Sequence, residues 1–120
     1  MRYLLLMYRD EKWWDAKPEA ERVAIRQQAI DASEVLRARG IYLAGDPLLP
    51  THTASTVRIR EGKTVTTDGP FAETKEQLGG YSVVEVSSHE EAVRIAASHP
   101  LVQVGGHSIE VRPIRELPGR

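Results

Sequence analysis

Arg2-Tyr3-Leu4-Leu5-Leu6-Met7-Tyr8 is apolar on both parities: Tyr3, Leu5 and Met7 would lie on one face of an extended strand, and Leu4, Leu6 and Tyr8 on the other. A strand that needs cover on both faces belongs inside a sheet, so the rest of the chain has to supply its neighbours and its covering layers. Downstream, Pro18 to Arg39 reads as an amphipathic helix. Its apolar stripe is Ile25, Ala29, Ala32 and Leu36, and Gly40 is placed to end it. Ile41 to Leu43 is a short strand, and Gly45, Asp46, Pro47 and Pro50 then break regularity. Alternation over Thr53 to Arg60, a turn at Glu61-Gly62 and the strand Lys63 to Thr67 make a hairpin. A further strand runs from Tyr81 to Val86. Ser88, with Glu91 three residues on, opens a second helix over Ala92, Ile95 and Ala96, which is expected to end at Pro100. Ser108 to Arg112 closes the order as a last strand, ending near Pro113.

The order β-α-β, hairpin, β-α-β predicts an α+β fold, a ferredoxin-like sandwich with both helices on one face of a mainly antiparallel sheet. Two helices cover one face only, so the apolar second face of the first strand predicts a homodimer. At 120 residues the chain is read as a single domain, residues 1–120, with 41% hydrophobic and 28% charged residues, enough for a core. Sixteen basic against seventeen acidic residues, a net charge of −1, argue against direct nucleic-acid or anionic-membrane binding. There is no cysteine, which removes disulfides, thiolate metal sites and cysteine nucleophiles. Leu4 to Met7, the one dense apolar run, is too short to span a bilayer, so a cytoplasmic location is expected. His52, His89, His99 and His107 lack metal-ligand spacing, and neither metal nor cofactor is expected.

The most distinctive stretch is Asp68-Gly69-Pro70-Phe71-Ala72-Glu73-Thr74-Lys75-Glu76, followed by Gln77-Leu78-Gly79-Gly80-Tyr81. Together with Tyr3 to Tyr8, Pro18-Glu19, Gly45, Leu48, Pro50, Thr56-Val57-Arg58 and Glu110 to Ile114, it resembles the DGPF-motif branch of the YCII-related proteins over almost the whole chain. The resemblance implies a dimeric α+β barrel. It also implies a link to extracytoplasmic-function sigma factor systems, in which the domain would act as a non-catalytic regulatory or interaction module. A His-Asp pair proposed as an active site in the wider group does not transfer, because Pro18 to Arg39 contains no histidine. At Lys17 the chain departs from the Ser or Thr that relatives commonly place before the first helix, which removes a side-chain cap.

Two readings of the motif stand side by side. In the first, Asp68 is a catalytic carboxylate with His52 as proton shuttle, and Arg58, Phe71, Glu73 and Lys75 bind a small-molecule substrate in a cleft against the sheet. Asp46, Arg58 and Asp68 would then form a carboxylate pair beside a guanidinium. In the second, Asp-Gly-Pro is a chain reversal, Phe71 fills the edge of the core, and the charges are solvated. Trp13 and Trp14 are read as core or dimer cover rather than pocket lining, and Gly79-Gly80 and Gly105-Gly106 as points of backbone freedom.

Overall fold

A computed structural model describes residues 1–119. The elements are β1 (Arg2–Arg9), α1 (Glu11–Asp15), α2 (Glu19–Ala38), β2 (Tyr42–Pro47), β3 (Ser55–Arg60), β4 (Lys63–Asp68), β5 (Gln77–Glu85), α3 (His89–Ala97), α4 (Pro100–Gln103) and β6 (His107–Pro113), with a short 3₁₀ turn at Thr51–Thr53. Four strands form one antiparallel sheet in the order β2-β5-β1-β6, and β3-β4 form a separate hairpin. This is the ferredoxin-like arrangement, with the hairpin inserted between the second and third strands of the sheet.

The parity of β1 sets the layers. Tyr3 and Leu5 are buried under the helices with Val84, Val86, Ala92 and Ala96, and Ile41, Ile95, Ile109 and Val111 pack against them. A second cluster of Trp14, Ile25 and Leu101, with Met7, Trp13 and Ala29 against it, occupies the other end of the same layer. Leu4, Leu6 and Tyr8 face the opposite way, beside their register partners Val83, Tyr81 and Leu78, and no helix covers them.

Several local expectations are corrected. The Trp-bearing segment is a helix of its own: Asp10 caps it, its carboxylate accepting from the Lys12 amide at 2.9 Å and the Trp13 amide at 3.5 Å. As expected from Lys17, no side chain caps α2, which begins at Glu19 with Pro18 at the N-cap position. Pro100 does not end α3, which stops at Ala97; it opens α4, with His99 as the cap. β5 begins at Gln77 and runs through Gly79-Gly80. These two glycines answer a need for close approach rather than freedom, since a Cβ at Gly80 would stand 3.0 Å from the Met7 Cε and one at Gly79 3.3 Å from the Arg9 Nε. Gly105 and Gly106 do occupy the left-handed region, at φ +83° and +81°.

The hairpin projects from the body. The radius of gyration is 16.3 Å, against about 13.6 Å for a compact chain of this length. Val57, Ile59 and Phe71 are 63%, 67% and 76% exposed.

Candidate functional site: a cavity beneath α2

The stripe that α2 turns toward the sheet contains Ala29, Ala32 and Ser33, which are too small to fill the interlayer space; only Ile25 of this helix is fully buried. The result is a cavity of about 280 Å³ between α2 and the sheet. Its apolar walls include Leu5, Met7, Ile30, Leu101 and Ile109, and its polar lining includes Arg9, Arg26, Ser33, Arg37, Tyr42 and His99. A second hollow of about 240 Å³ shares Leu5, Ser33, Tyr42, Ser82 and His99 with it, so the space runs on under the helix.

Arg9 continues the buried Tyr3-Leu5-Met7 face of β1, and its guanidinium lies over the Trp14 ring, 4.4 Å from the centroid. Arg26, from α2, approaches the same ring at 5.6 Å. Burial lowers the pKa of Arg9 from its ordinary value, and the charge of Arg26 adds to that effect. Beside them His107 is 7% exposed and makes edge contacts with both indoles, at 5.5 Å from Trp13 and 5.4 Å from Trp14. Burial, followed by the charge of Arg9, pushes its pKa down to about 4. The Gly105 and Leu101 backbone oppose that shift, but neither His107 nitrogen reaches a partner in hydrogen-bond geometry, so the ring is neutral at neutral pH.

His99 is also held neutral by burial. Its Nδ1 accepts the Leu101 amide at 3.1 Å, which leaves the proton of the neutral ring on Nε2. Tyr42 stacks under Arg37 at 4.7 Å, and burial raises its pKa. Gly45 makes room for this side chain, since a Cβ there would overlap the Tyr42 hydroxyl and stand 2.6 Å from the Tyr81 carbonyl oxygen. The Ser33 hydroxyl donates to the Ala29 carbonyl at 3.0 Å, and Glu34 lies 3.5 Å from Arg37. The polar lining thus combines donors with two carboxylates, Glu34 beside Arg37 and Asp46 accepting the Tyr81 hydroxyl, and leaves Arg9 and Arg26 as the guanidinium groups without an ion-pair partner among the described residues.

The residues singled out from the sequence lie elsewhere. His52 is exposed in the 3₁₀ turn, whose Thr51 amide donates to Glu11 at 3.0 Å. Asp68 ends β4 opposite Ser55, and Gly69 bonds Ala54 at 2.7 Å, so the fold brings the His52 and Asp68 segments to one end of the hairpin. Arg58 does not join a carboxylate pair: its Nη2 donates to the Phe71 carbonyl at 2.9 Å, while Thr56 donates to the Gly69 carbonyl at 2.9 Å. These two side chains brace the motif turn. Asp46 instead accepts the Tyr81 hydroxyl at 3.0 Å, across the β2-β5 pairing, and both residues are part of the cavity lining. Phe71 fills no core edge, and Glu73 and Lys75 are exposed in the loop before β5. None of His52, Arg58, Asp68, Phe71, Glu73 or Lys75 lines the two hollows described.

Sequence reading missed Arg9, Arg26 and His99. The available signal was Arg9 itself, a charge at a parity the strand otherwise buries. Trp14 is both core and cavity wall, 2% exposed.

Among the described residues no group of three or more His, Asp or Glu side chains could hold a metal ion, and no helix is long and apolar enough to cross a membrane.

Among solved structures, the fold is similar to 5-chloro-2-hydroxyhydroquinone dehydrochlorinase from Burkholderia phenoliruptrix AC1100 in complex with 2,5-dihydroxybenzoquinone. The TM-score is 0.60 at 16% identity, covering 96% of this chain and 94% of that one. An uncharacterized protein of Rhizobium meliloti (strain 1021) is 38% identical over 116 residues, 95% of this chain and 92% of its own length. The YCII-related domain matches residues 1–118, and the chain belongs to the YCII-related domain family.

Proposed function

We propose that the protein is a homodimeric small-molecule-binding protein whose ligand lies in the cavity between α2 and the sheet. The observation that carries this reading is the cavity itself: about 280 Å³ of space, partly open to solvent, with many apolar wall residues and with donors converging from β1, α2, β2 and the residue that caps α4. That volume suits a compound of one ring. The dehydrochlorinase of the same fold holds 2,5-dihydroxybenzoquinone, which supports a small oxygenated ring as the ligand class here. The lining supplies donors, a neutral imidazole and two carboxylates engaged by Arg37 and Tyr81, and holds no activated nucleophile, so the reading is of binding.

The homodimer is supported by the uncovered apolar residues Leu4, Leu6, Tyr8 and Val83 of the sheet and by the projecting hairpin. An isolated two-stranded ribbon is marginal in water, so β3-β4 is best accounted for as an arm that lies on a second copy. Catalytic or binding roles for Asp68, His52, Arg58, Phe71, Glu73 and Lys75 require that second copy to bring a concave surface to them. Nothing in the fold or the relatives supports the sigma-factor link.

Replacing Ala29 by Leu tests the reading. The larger side chain occupies the cavity and leaves the fold intact or stabilises it by about 0.5–2 kcal/mol. Small hydroxylated aromatic compounds that bind the wild-type protein in a ligand-observed NMR screen should lose binding to Ala29→Leu. Equal binding to both proteins would place the ligand elsewhere and overturn the proposal.

A further inference from the structure

Arg9 and Arg26 stand at the cavity without an ion-pair partner among the described residues, while the two carboxylates of the lining are engaged by other groups: Glu34 lies 3.5 Å from Arg37, and Asp46 accepts the Tyr81 hydroxyl. Arg9 and Arg26 approach one indole, Trp14, at 4.4 and 5.6 Å. Among the described residues neither guanidinium has a carboxylate within 4.0 Å, although both line the cavity. The Arg9 Nε is shielded from solvent and has no hydrogen-bond partner. The acids whose charge reaches Arg9 are committed elsewhere: Glu11 accepts from the Thr51 amide and hydroxyl, and Asp15 faces Arg22 at 4.0 Å. His107, packed against the same indole, is unprotonated near neutral pH and adds no charge.

Two like charges on one ring, one of them half-buried with an orphaned donor, are unfavourable in the empty protein and favourable once an anion lies between them. Arginine presents a planar fork that matches a carboxylate, and Trp14 fixes the plane of that fork. Met7, Ala29, Ile30, Leu101 and Ile109 give the space apolar walls that suit a ring or chain beyond the carboxylate.

We infer that Arg9 and Arg26, stacked on Trp14, form a carboxylate seat, and that the ligand is a small organic acid whose apolar ring or chain fills the space beneath α2. This inference rests on the cavity being the ligand site.

The test compares 4-hydroxybenzoate with its neutral isostere 4-hydroxybenzamide, titrated into the wild type, Arg9→Gln and Arg26→Gln and followed by amide shifts. Circular dichroism checks that each variant is folded. Arg26 is exposed on α2, so its variant keeps the test valid if Arg9→Gln unfolds. The acid should bind the wild type at least about tenfold more tightly than the amide, and either substitution should remove about tenfold of acid affinity while changing amide affinity by less than about twofold. If acid and amide bind the cavity equally, or the arginine variants weaken both alike, the carboxylate seat is wrong while the cavity remains the site. If neither compound shifts cavity residues, the site reading fails and the inference with it.

Discussion

His107 makes folding depend on acidity from about pH 6.5 downward, beginning above the range in which ordinary carboxylates titrate. In the unfolded chain its imidazole takes a proton around the ordinary 6.5, and in the folded chain only near about 4, because the ring is buried between two indoles and faces Arg9. Between those values the unfolded state binds more protons, so stability is complete above about pH 6.5 and falls as pH falls toward about 4. With those two values the loss from about pH 7.5 to about pH 5 is about 2 kcal/mol, rising to about 3 kcal/mol where both states are protonated. His99 is shifted the same way by burial and adds to the loss. The perturbation is His107→Phe, which keeps an aromatic ring between Trp13 and Trp14 and removes the titration. Urea unfolding followed by tryptophan fluorescence, at about pH 7.5, 6 and 5, should show the variant losing about 2 kcal/mol less than the wild type over that interval. Parallel stability profiles for the two proteins would refute the reasoning, because they would mean that His107 accepts its proton equally well in both states.

Gly106→Ala should cost about 2–4 kcal/mol and lower Tm by roughly 10 °C, because a Cβ at φ +81° is strained and would overlap the Trp13 ring. Gly62→Ala, at φ +78° with nothing within 4 Å, should cost only about 1 kcal/mol, and equal losses in the two would remove the packing contribution. In the hairpin, Ile59→Glu combined with Phe71→Ala should change the stability of the single chain by less than about 0.5 kcal/mol, since both side chains are largely exposed. The same double variant should convert a dimer to a monomer in light scattering. A wild-type monomer, or a dimer untouched by the substitutions, would contradict the proposed arm.

The layers of the fold were legible because parity in β1 and spacing in α2 are local patterns. Tyr3, Leu5 and Met7 face the helices, and the stripe Ile25, Ala29, Ala32, Leu36 turns inward, as their periods require. The hairpin followed from alternation and from Glu61-Gly62, which take φ +50° and +78°. The site was less legible for a physical reason. Its charged groups come from residues 9, 26, 34, 37 and 46 and its imidazole from 99, and no single sequence spacing relates them; the cavity exists because Ala29, Ala32 and Ser33 leave space, which a hydrophobic pattern does not register. The Asp68 to Glu76 motif, by contrast, is conspicuous in sequence, yet its visible duty in the single chain is a turn braced by Thr56 and Arg58. Gly79 and Gly80 were read only as backbone freedom, because the crowding a Cβ would meet there comes from Arg9 and Met7 on the neighbouring strand.

The most direct test of the cavity as the ligand site is an amide shift map of the ¹⁵N-labelled protein titrated with a small hydroxylated aromatic acid. The account predicts perturbations at Met7, Ala29, Tyr42, Gly79, Gly80 and Leu101, the lining of the space beneath α2. Perturbations confined to His52 and Asp68 through Lys75, with the lining unmoved, would contradict it.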